Sequence, residues 1–224
     1  MSGRVRVGIV DSGCAPAQAA QVVASAAFML DEAGVSRVAA APDVLGHGCR
    51  VADVVLHCAP QAELLVAQVF RERLSTSAAQ VAAAIDWLVA EDARIINLSL
   101  GLRAPRRTLE QACARAIAAG VVVCAAAPAI GQTVYPAGFS GVLKVTGDAR
   151  CARMELAALG AAHADFGAHV RALGDSLSGA GASMACAHLS AHAARHFAQG
   201  GSADSLPAWL VSQAHYHGLE ILRR

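Results

Sequence analysis

The sequence predicts an α/β protein in three layers, a mainly parallel central sheet with helices on both faces. Two observations carry that reading. Short apolar runs rich in Val and Ile alternate along the chain with alanine-rich stretches whose apolar residues recur at helical spacing. The strand-like runs are apolar throughout, the pattern of strands buried on both faces, and parallel strands of that kind are joined by right-handed helical crossovers. With 55% hydrophobic and 16% charged positions in 224 residues, the chain can bury a substantial core.

Taken in order, residues 5–10 read as a first buried strand ending at Asp11-Ser12-Gly13. Residues 48–57 read as a helix opened by Gly46-His47-Gly48, and 64–70 as the next strand. Helix 77–90, strand 94–100, helix 109–119, strand 121–126 and strand 142–145 follow. Beyond Val145 the pieces shorten. Residues 154–159 and 169–173 look strand-like, a glycine-rich turn at Gly179-Ala180-Gly181 precedes a long helix at 182–198, and a last helix is expected at 206–216. No internal repeat and no linker longer than a turn interrupts this, so residues 1–224 are expected to form one domain. Only ten residues precede Asp11, and they lack a charged-then-apolar leader, so neither a signal peptide nor a pro-segment is expected.

Composition removes several functions. Lys+Arg is 18 against Asp+Glu 17, a net charge of +1, and the only adjacent basic pairs are Arg106-Arg107 and Arg223-Arg224, so nucleic acid is not an expected partner. The longest apolar stretch, residues 121–130, contains Pro128 and is about half the length a membrane span needs. No membrane partner and a cytoplasmic address are expected. The seven cysteines are odd in number and lack CxxC spacing, which favours reduced thiols. The glycine-rich turns lack GxGxxG or GxxxxGK[ST] spacing, which disfavours nucleotide binding. His188, His192 and His196 recur every fourth residue on the late helix without an obvious thiol or carboxylate partner; a partly exposed histidine face is expected, with no metal and no cofactor.

In an open parallel sheet, functional groups collect at the carboxyl edge, where strands turn into loops and helices. Asp11, His47 and Ser183 are placed at such positions. A carboxylate, an imidazole and a hydroxyl are the parts of an acyl-transfer triad: the imidazole takes the hydroxyl proton, and the carboxylate orients it and stabilises the imidazolium. The chain order Asp, His, Ser is that of subtilisin.

The sequence resembles the subtilisin-like serine peptidases from about Val5 to Ala194. Val7-Gly8-Ile9-Val10-Asp11-Ser12-Gly13 resembles the strand carrying that family's aspartate, and Gly46-His47-Gly48 with Val51-Ala52 its histidine segment. Ile95-Ile96-Asn97-Leu98-Ser99-Leu100-Gly101 resembles the substrate-binding strand. Ala125, Ala126 and Ala127, with Tyr135-Pro136-Ala137, resemble the specificity-pocket wall, Ala164-Asp165-Phe166-Gly167 a late strand, and Gly181-Ala182-Ser183-Met184-Ala185 the serine signature. The resemblance implies a subtilisin-like fold, Asp11, His47 and Ser183 as catalytic residues, and Leu98, Ser99, Leu100, Gly101, Ala125, Ala126 and Ala127 as substrate-binding residues.

Departures accompany the likeness. The family's Gly-Asn, whose asparagine donates to the oxyanion, falls on Pro128-Ala129. Loss of that donor in subtilisin costs roughly 10²- to 10³-fold in turnover. The backbone N–H of Ser183 remains as one donor, and Gln132 is the nearest side chain in sequence to replace the other. Cys49 and Arg50 replace the usual Thr and His, Cys186 a small residue, and Ala187 a proline. The size and departures are similar to small subtilases that remove a leader from a modified peptide, such as the one of quinohemoprotein amine dehydrogenase biogenesis. The expectation is an intracellular serine endopeptidase that matures one cognate protein or peptide, with Arg71-Glu72-Arg73 and Trp209 as candidate anchors. The alternative is an inactive relative that binds a peptide as an assembly factor.

Overall fold

The structure, a computed structural model, describes residues 4–173 and 181–220. Among these, ten strands form one sheet. The strands are β1 (Arg6–Asp11), β2 (Val22–Asp31), β3 (Gly34–Val38), β4 (Glu63–Gln68), β5 (Ile95–Leu98), β6 (Val122–Ala126), β7 (Leu143–Gly147), β8 (Leu156–Ala158), β9 (Phe166–Ala168) and β10 (Tyr216–His217). Their spatial order is β10-β8-β9-β7-β6-β5-β1-β4-β2-β3. The run from β9 through β2 is parallel, and antiparallel pairs β8·β9 and β2·β3 lie toward its two ends.

Five α-helices and a short 3-10 helix at Pro16–Gln21 complete the described fold: α1 (His47–Cys58), α2 (Ala78–Ala90), α3 (Arg107–Ala118), α4 (Ala182–Ala198) and α5 (Leu206–Ser212). Each strand divides its side chains between the two faces. Val7 and Ile9 of β1 pack with α1 and α4, while Val10 packs with α2 and α3. This is the three-layer fold expected from the sequence. The first turn of α2 shows why a helix starts there: Ser77 Oγ accepts from Gln80 N at 3.2 Å, and Ser77 N donates to Gln80 Oε1 at 3.1 Å.

Three expectations change. The hairpin β2–β3 was not foreseen, because Val22–Asp31 carries Ser and Ala in place of the unbroken apolar run of its neighbours. The strand expected at 169–173 lies instead at Phe166–Ala168, whose three residues are buried between β7 and β8. The last helix stops at Ser212, and Tyr216–His217 pairs with β8, so tertiary pairing overrides the helical pattern. Gly179 and Ala180 of the expected turn lie outside the described residues.

The histidine face of α4 is also corrected. His188, His192 and His196 are 1%, 4% and 6% exposed, because α4 is buried against α1, the sheet and α5. Burial pushes His188 and His192 down to about 4, so both are neutral at physiological pH. Among the described residues no group of three His, Cys, Asp or Glu side chains is arranged to hold a metal. No described helix is long and apolar enough to cross a membrane.

Candidate active site

Because β1, β4, β5 and β6 are parallel neighbours, Asp11, Gln68, Leu98 and Ala126 all end strands on one edge of the sheet. The N-termini of α1 and α4 bring His47 and Ser183 to that edge. The sequence thus delivers three distant residues to one place through strand polarity alone.

Asp11 has no solvent exposure, and its charge is met by hydrogen bonds. Oδ1 accepts from Ser12 N at 2.7 Å and lies 2.8 Å from His47 Nδ1, while Oδ2 lies 2.9 Å from the same nitrogen. A carboxylate can only accept, so Nδ1 carries the hydrogen and Nε2 is the basic nitrogen. Burial works against a charged His47 ring. The Asp11 hydrogen bond and charge, aided by Asp43 and opposed by Arg50, outweigh it and raise the His47 pKa above its ordinary value.

Asp43, which sequence reading missed, positions the histidine. Its Oδ1 accepts from Leu45 N at 2.9 Å and Gly46 N at 2.8 Å, and its Oδ2 from Cys49 N at 2.9 Å. One side chain therefore ties the loop before α1 to the first turn of α1. Desolvation opposes ionisation, but these donors prevail and hold the carboxyl below its usual range. Gly46 adopts the left-handed conformation, φ 68°, and a Cβ on Gly48 would strike the Gly13 backbone, so both glycines are needed for α1 to dock on the loop after Asp11. Ser12 Oγ receives Gly48 N at 2.8 Å, and Gln68 Nε2 donates to Ser12 O at 2.8 Å. The available signal was an aspartate followed by Gly-His at a predicted helix start.

Ser183 is the second residue of α4, where first-turn N–H groups have no acceptor one turn back. Its hydroxyl donates to Ser99 O at 3.2 Å, and Ser99 Oγ donates to Ser183 O at 2.9 Å. Behind them the buried Asn97 donates Nδ2 to Ser99 Oγ at 2.9 Å and accepts from Ser190 Oγ at 3.1 Å. This neutral chain fixes the Ser183 backbone to β5 and the residues that follow it.

His47, Ser183, Ser99, Leu100 and Gly101 line one cleft of about 340 Å³, closed on its other side by Phe70, Leu74, Ser75 and Thr76. Leu98 and Ala125 do not reach it. Both have zero exposure, because their strand-interior side chains pack against the α2–α3 layer. Ala126 is 8% exposed and faces the opposite core, and Ala127 lies beside a separate cavity of about 1040 Å³. That larger cavity, lined also by Pro128 and Gln132, contains none of Asp11, His47 or Ser183 among its lining residues, whereas the smaller cleft is lined by both His47 and Ser183. Gln132 lines this larger cavity and is not among the residues lining the smaller cleft. Ala129 is exposed and offers no side-chain donor.

Of the other singled-out residues, Cys14 and Cys49 flank the Asp11–His47 pair and are half-buried, while Cys186 is fully buried. All seven cysteines are free. Arg71, Glu72 and Arg73 are exposed near the cleft, and Trp209 packs against the core.

Known proteins place this geometry. The model of the subtilase family matches residues 3–222. A thermostable alkaline protease of Halalkalibacterium halodurans is 34% identical over 151 residues, 62% of this chain and 40% of that protein. The chain thus spans well under two thirds of the length of this curated relative. Among solved structures, a protease of Pseudoalteromonas arctica superposes with a TM-score of 0.73 at 17% identity, covering 97% of this chain and 88% of that one. The prenylagaramide maturation protease PagA superposes with a TM-score of 0.63 at 19% identity, covering 93% and 82%.

Proposed function

The chain belongs to the subtilase family, and from that premise we propose that it is a serine endopeptidase that cleaves one cognate protein or leader peptide during its maturation. The observation that carries the reading is the buried Asp11–His47 pair, 2.8 Å apart, on the same cleft as Ser183. In the proposed reaction His47 Nε2 takes the Ser183 proton as Oγ attacks the peptide carbonyl. The imidazolium formed is stabilised by Asp11, and it then protonates the leaving amine. Water, activated by His47 in turn, releases the acyl group. The Ser183 N–H is one donor to the oxyanion.

Restriction to a cognate substrate is supported by Ala129. A missing side-chain donor weakens transition-state binding, and contacts along a long substrate can offset that loss. The likeness to a maturation protease points the same way. Seven free thiols support the cytoplasmic setting that belongs to this proposal. The same Ala129 favours the second reading, an inactive relative that holds a peptide in the cleft.

A fluorophosphonate probe separates the two. One adduct on Ser183, absent from Ser183→Ala at unchanged melting temperature, is the expected result; no adduct on the wild-type protein overturns the peptidase reading.

A further inference from the structure

Two borders of the cleft lie beside arginines that have no carboxylate partner among the described residues. On one, Arg71 and Arg73 stand exposed around Glu72, between the cleft-lining residues Phe70 and Leu74; both line an adjoining pocket of about 510 Å³, where Arg71 Nη1 lies 4.0 Å from Met29 Sδ. On the other, the chain that lines the cleft through Leu102 continues into Arg103, exposed, and then Arg106 and Arg107 at the start of α3. Extended chain advances at most 3.3–3.6 Å per residue, so Arg106 Cα lies within about 14 Å of Leu102 Cα.

Among the described residues none of these five arginines forms an ion pair. Away from the cleft, Arg4 and Arg6 pair with Glu63, Arg115 with Asp86, Lys144 with Asp165 and Arg150 with Asp148. Only Glu72 and Glu110 stand near the five in the chain, so an excess of positive charge gathers here in a protein whose net charge is +1. Arg106 and Arg107 also sit at a helix N-terminus, where the dipole disfavours cations. Among the described residues no ion pair compensates this charge.

We infer that the rim selects the substrate: the segment of polypeptide that lies along Ser99–Leu102 carries a cluster of acidic side chains. This deepens the proposed peptidase reading and rests on it for the identity of the occupant. An extended segment repeats its side chains on one face about every 6.6–6.8 Å, so alternate carboxylates can meet successive arginines along the border. Steering by such a rim raises encounter rates and falls with salt. A nucleic acid fits less well, because Phe70, the aromatic side chain of this cleft, is 5% exposed and gives bases no stacking platform.

The test uses labelled twelve-residue peptides with an alanine-rich centre and four Glu or four Lys, placed on one side of the centre and then on the other. Binding to the Ser183→Ala protein is read by fluorescence anisotropy. At 20 mM NaCl the Glu peptide should bind about tenfold or more tighter than the Lys peptide, for one placement more than the other, with the ratio falling toward one at 0.5 M NaCl. Adding Arg71→Ser, Arg73→Ser and Arg103→Ser at unchanged melting temperature should cut the low-salt ratio below about threefold. Equal binding at low salt, or displacement of the Glu peptide by a twelve-nucleotide oligothymidylate at equal charge, overturns the inference. Fluorophosphonate labelling of the wild-type protein keeps the two readings apart. Labelling with equal peptide binding removes the acidic-substrate inference alone; Glu preference without labelling removes the peptidase reading alone.

Discussion

The half of the site around Asp11 and His47 is held by ions, and the half around Ser183 by neutral groups. Asp11 and Asp43 gather backbone and side-chain donors from Ser12, Leu45, Gly46, His47 and Cys49. Asn97, Ser99, Ser183 and Ser190 exchange bonds of 2.9–3.2 Å without a charge among them. Hydrogen bonds to charged groups contribute about 1.5–3 kcal/mol each against about 0.5–1.5 kcal/mol for neutral ones. In the proposed peptidase, proton abstraction would be the well-supported step and oxyanion binding, with Ala129 at the family's asparagine position, the thin one.

The largest effect breaks the charged half. In the peptidase reading, Asp11→Asn should lower turnover about 10⁴-fold, because an amide no longer fixes the hydrogen on Nδ1 of His47. The rate of fluorophosphonate labelling of Ser183 measures it, and a loss under tenfold would mean that Asp11 does not orient the base. Next in size is repair of the neutral half. Pro128→Gly with Ala129→Asn should raise turnover of a generic ester by up to about 10²- to 10³-fold. An unchanged rate places the deficit elsewhere.

The same contrast explains what the sequence made legible. Val7, Ile9 and Val10 announce a strand buried on both faces, and three strand ends and helix starts place Asp11, His47 and Ser183 without reference to long-range contacts. Asp43 was hidden because its partners are backbone N–H groups, which every residue has. Asn97 was visible only as part of a strand; its hydrogen bonds run to Ser99, two residues away, and to Ser190, 93 residues away. Likewise the burial of His188 and His192 depends on what packs over α4, and helical spacing says where a side chain points but not whether something covers it. Leu98 and Ala125 show the reverse error: membership of a substrate-lining segment does not decide which face of the strand a side chain takes.

A matched pair of variants sharpens the comparison. Asp43→Asn and Asn97→Ala should each lower stability by about 1–3 kcal/mol, the first because an amide keeps one acceptor oxygen where the backbone N–H groups of Leu45, Gly46 and Cys49 use two, the second through a broken buried network. They differ in pH dependence. The folded-state pKa of Asp43 is depressed, so its contribution is present above the unfolded carboxylate value, about 3.9, and fades as pH falls through the lower folded value. Melting curves of Asp43→Asn should therefore begin to converge with wild type only as pH falls below the unfolded value of about 3.9, while the Asn97→Ala gap should persist. A gap for Asp43→Asn that is constant from pH 7 to pH 3 would show that the aspartate acts as a neutral cap.

The smallest effect concerns the thiols that border the charged half. Burial, with the nearby Asp43 carboxylate, raises the Cys14 thiol; burial first, then the Asp43 hydrogen bond and charge, pushes Cys49 up to about 12. Cys113, Cys124 and Cys151 reach about 12 chiefly through burial, and Cys58 and Cys186 are raised by the same cause. The thiolate is the reactive form; access favours Cys14 and Cys49 over the five buried thiols, and ionisation favours Cys14 over Cys49. Native protein at pH 8 should lose Cys14 to iodoacetamide first and Cys49 more slowly, with the five buried thiols protected; in denaturant without reductant all seven should titrate. Asp43→Asn removes the carboxylate that holds both thiols protonated, so it should speed alkylation of Cys49 more than that of Cys14. Mass mapping of the alkylated peptides decides the order. A denatured count of five or fewer would reveal a disulfide and contradict the reducing setting, and equal acceleration of both thiols by Asp43→Asn would mean that loosening of the loop, not the aspartate's charge, controls them.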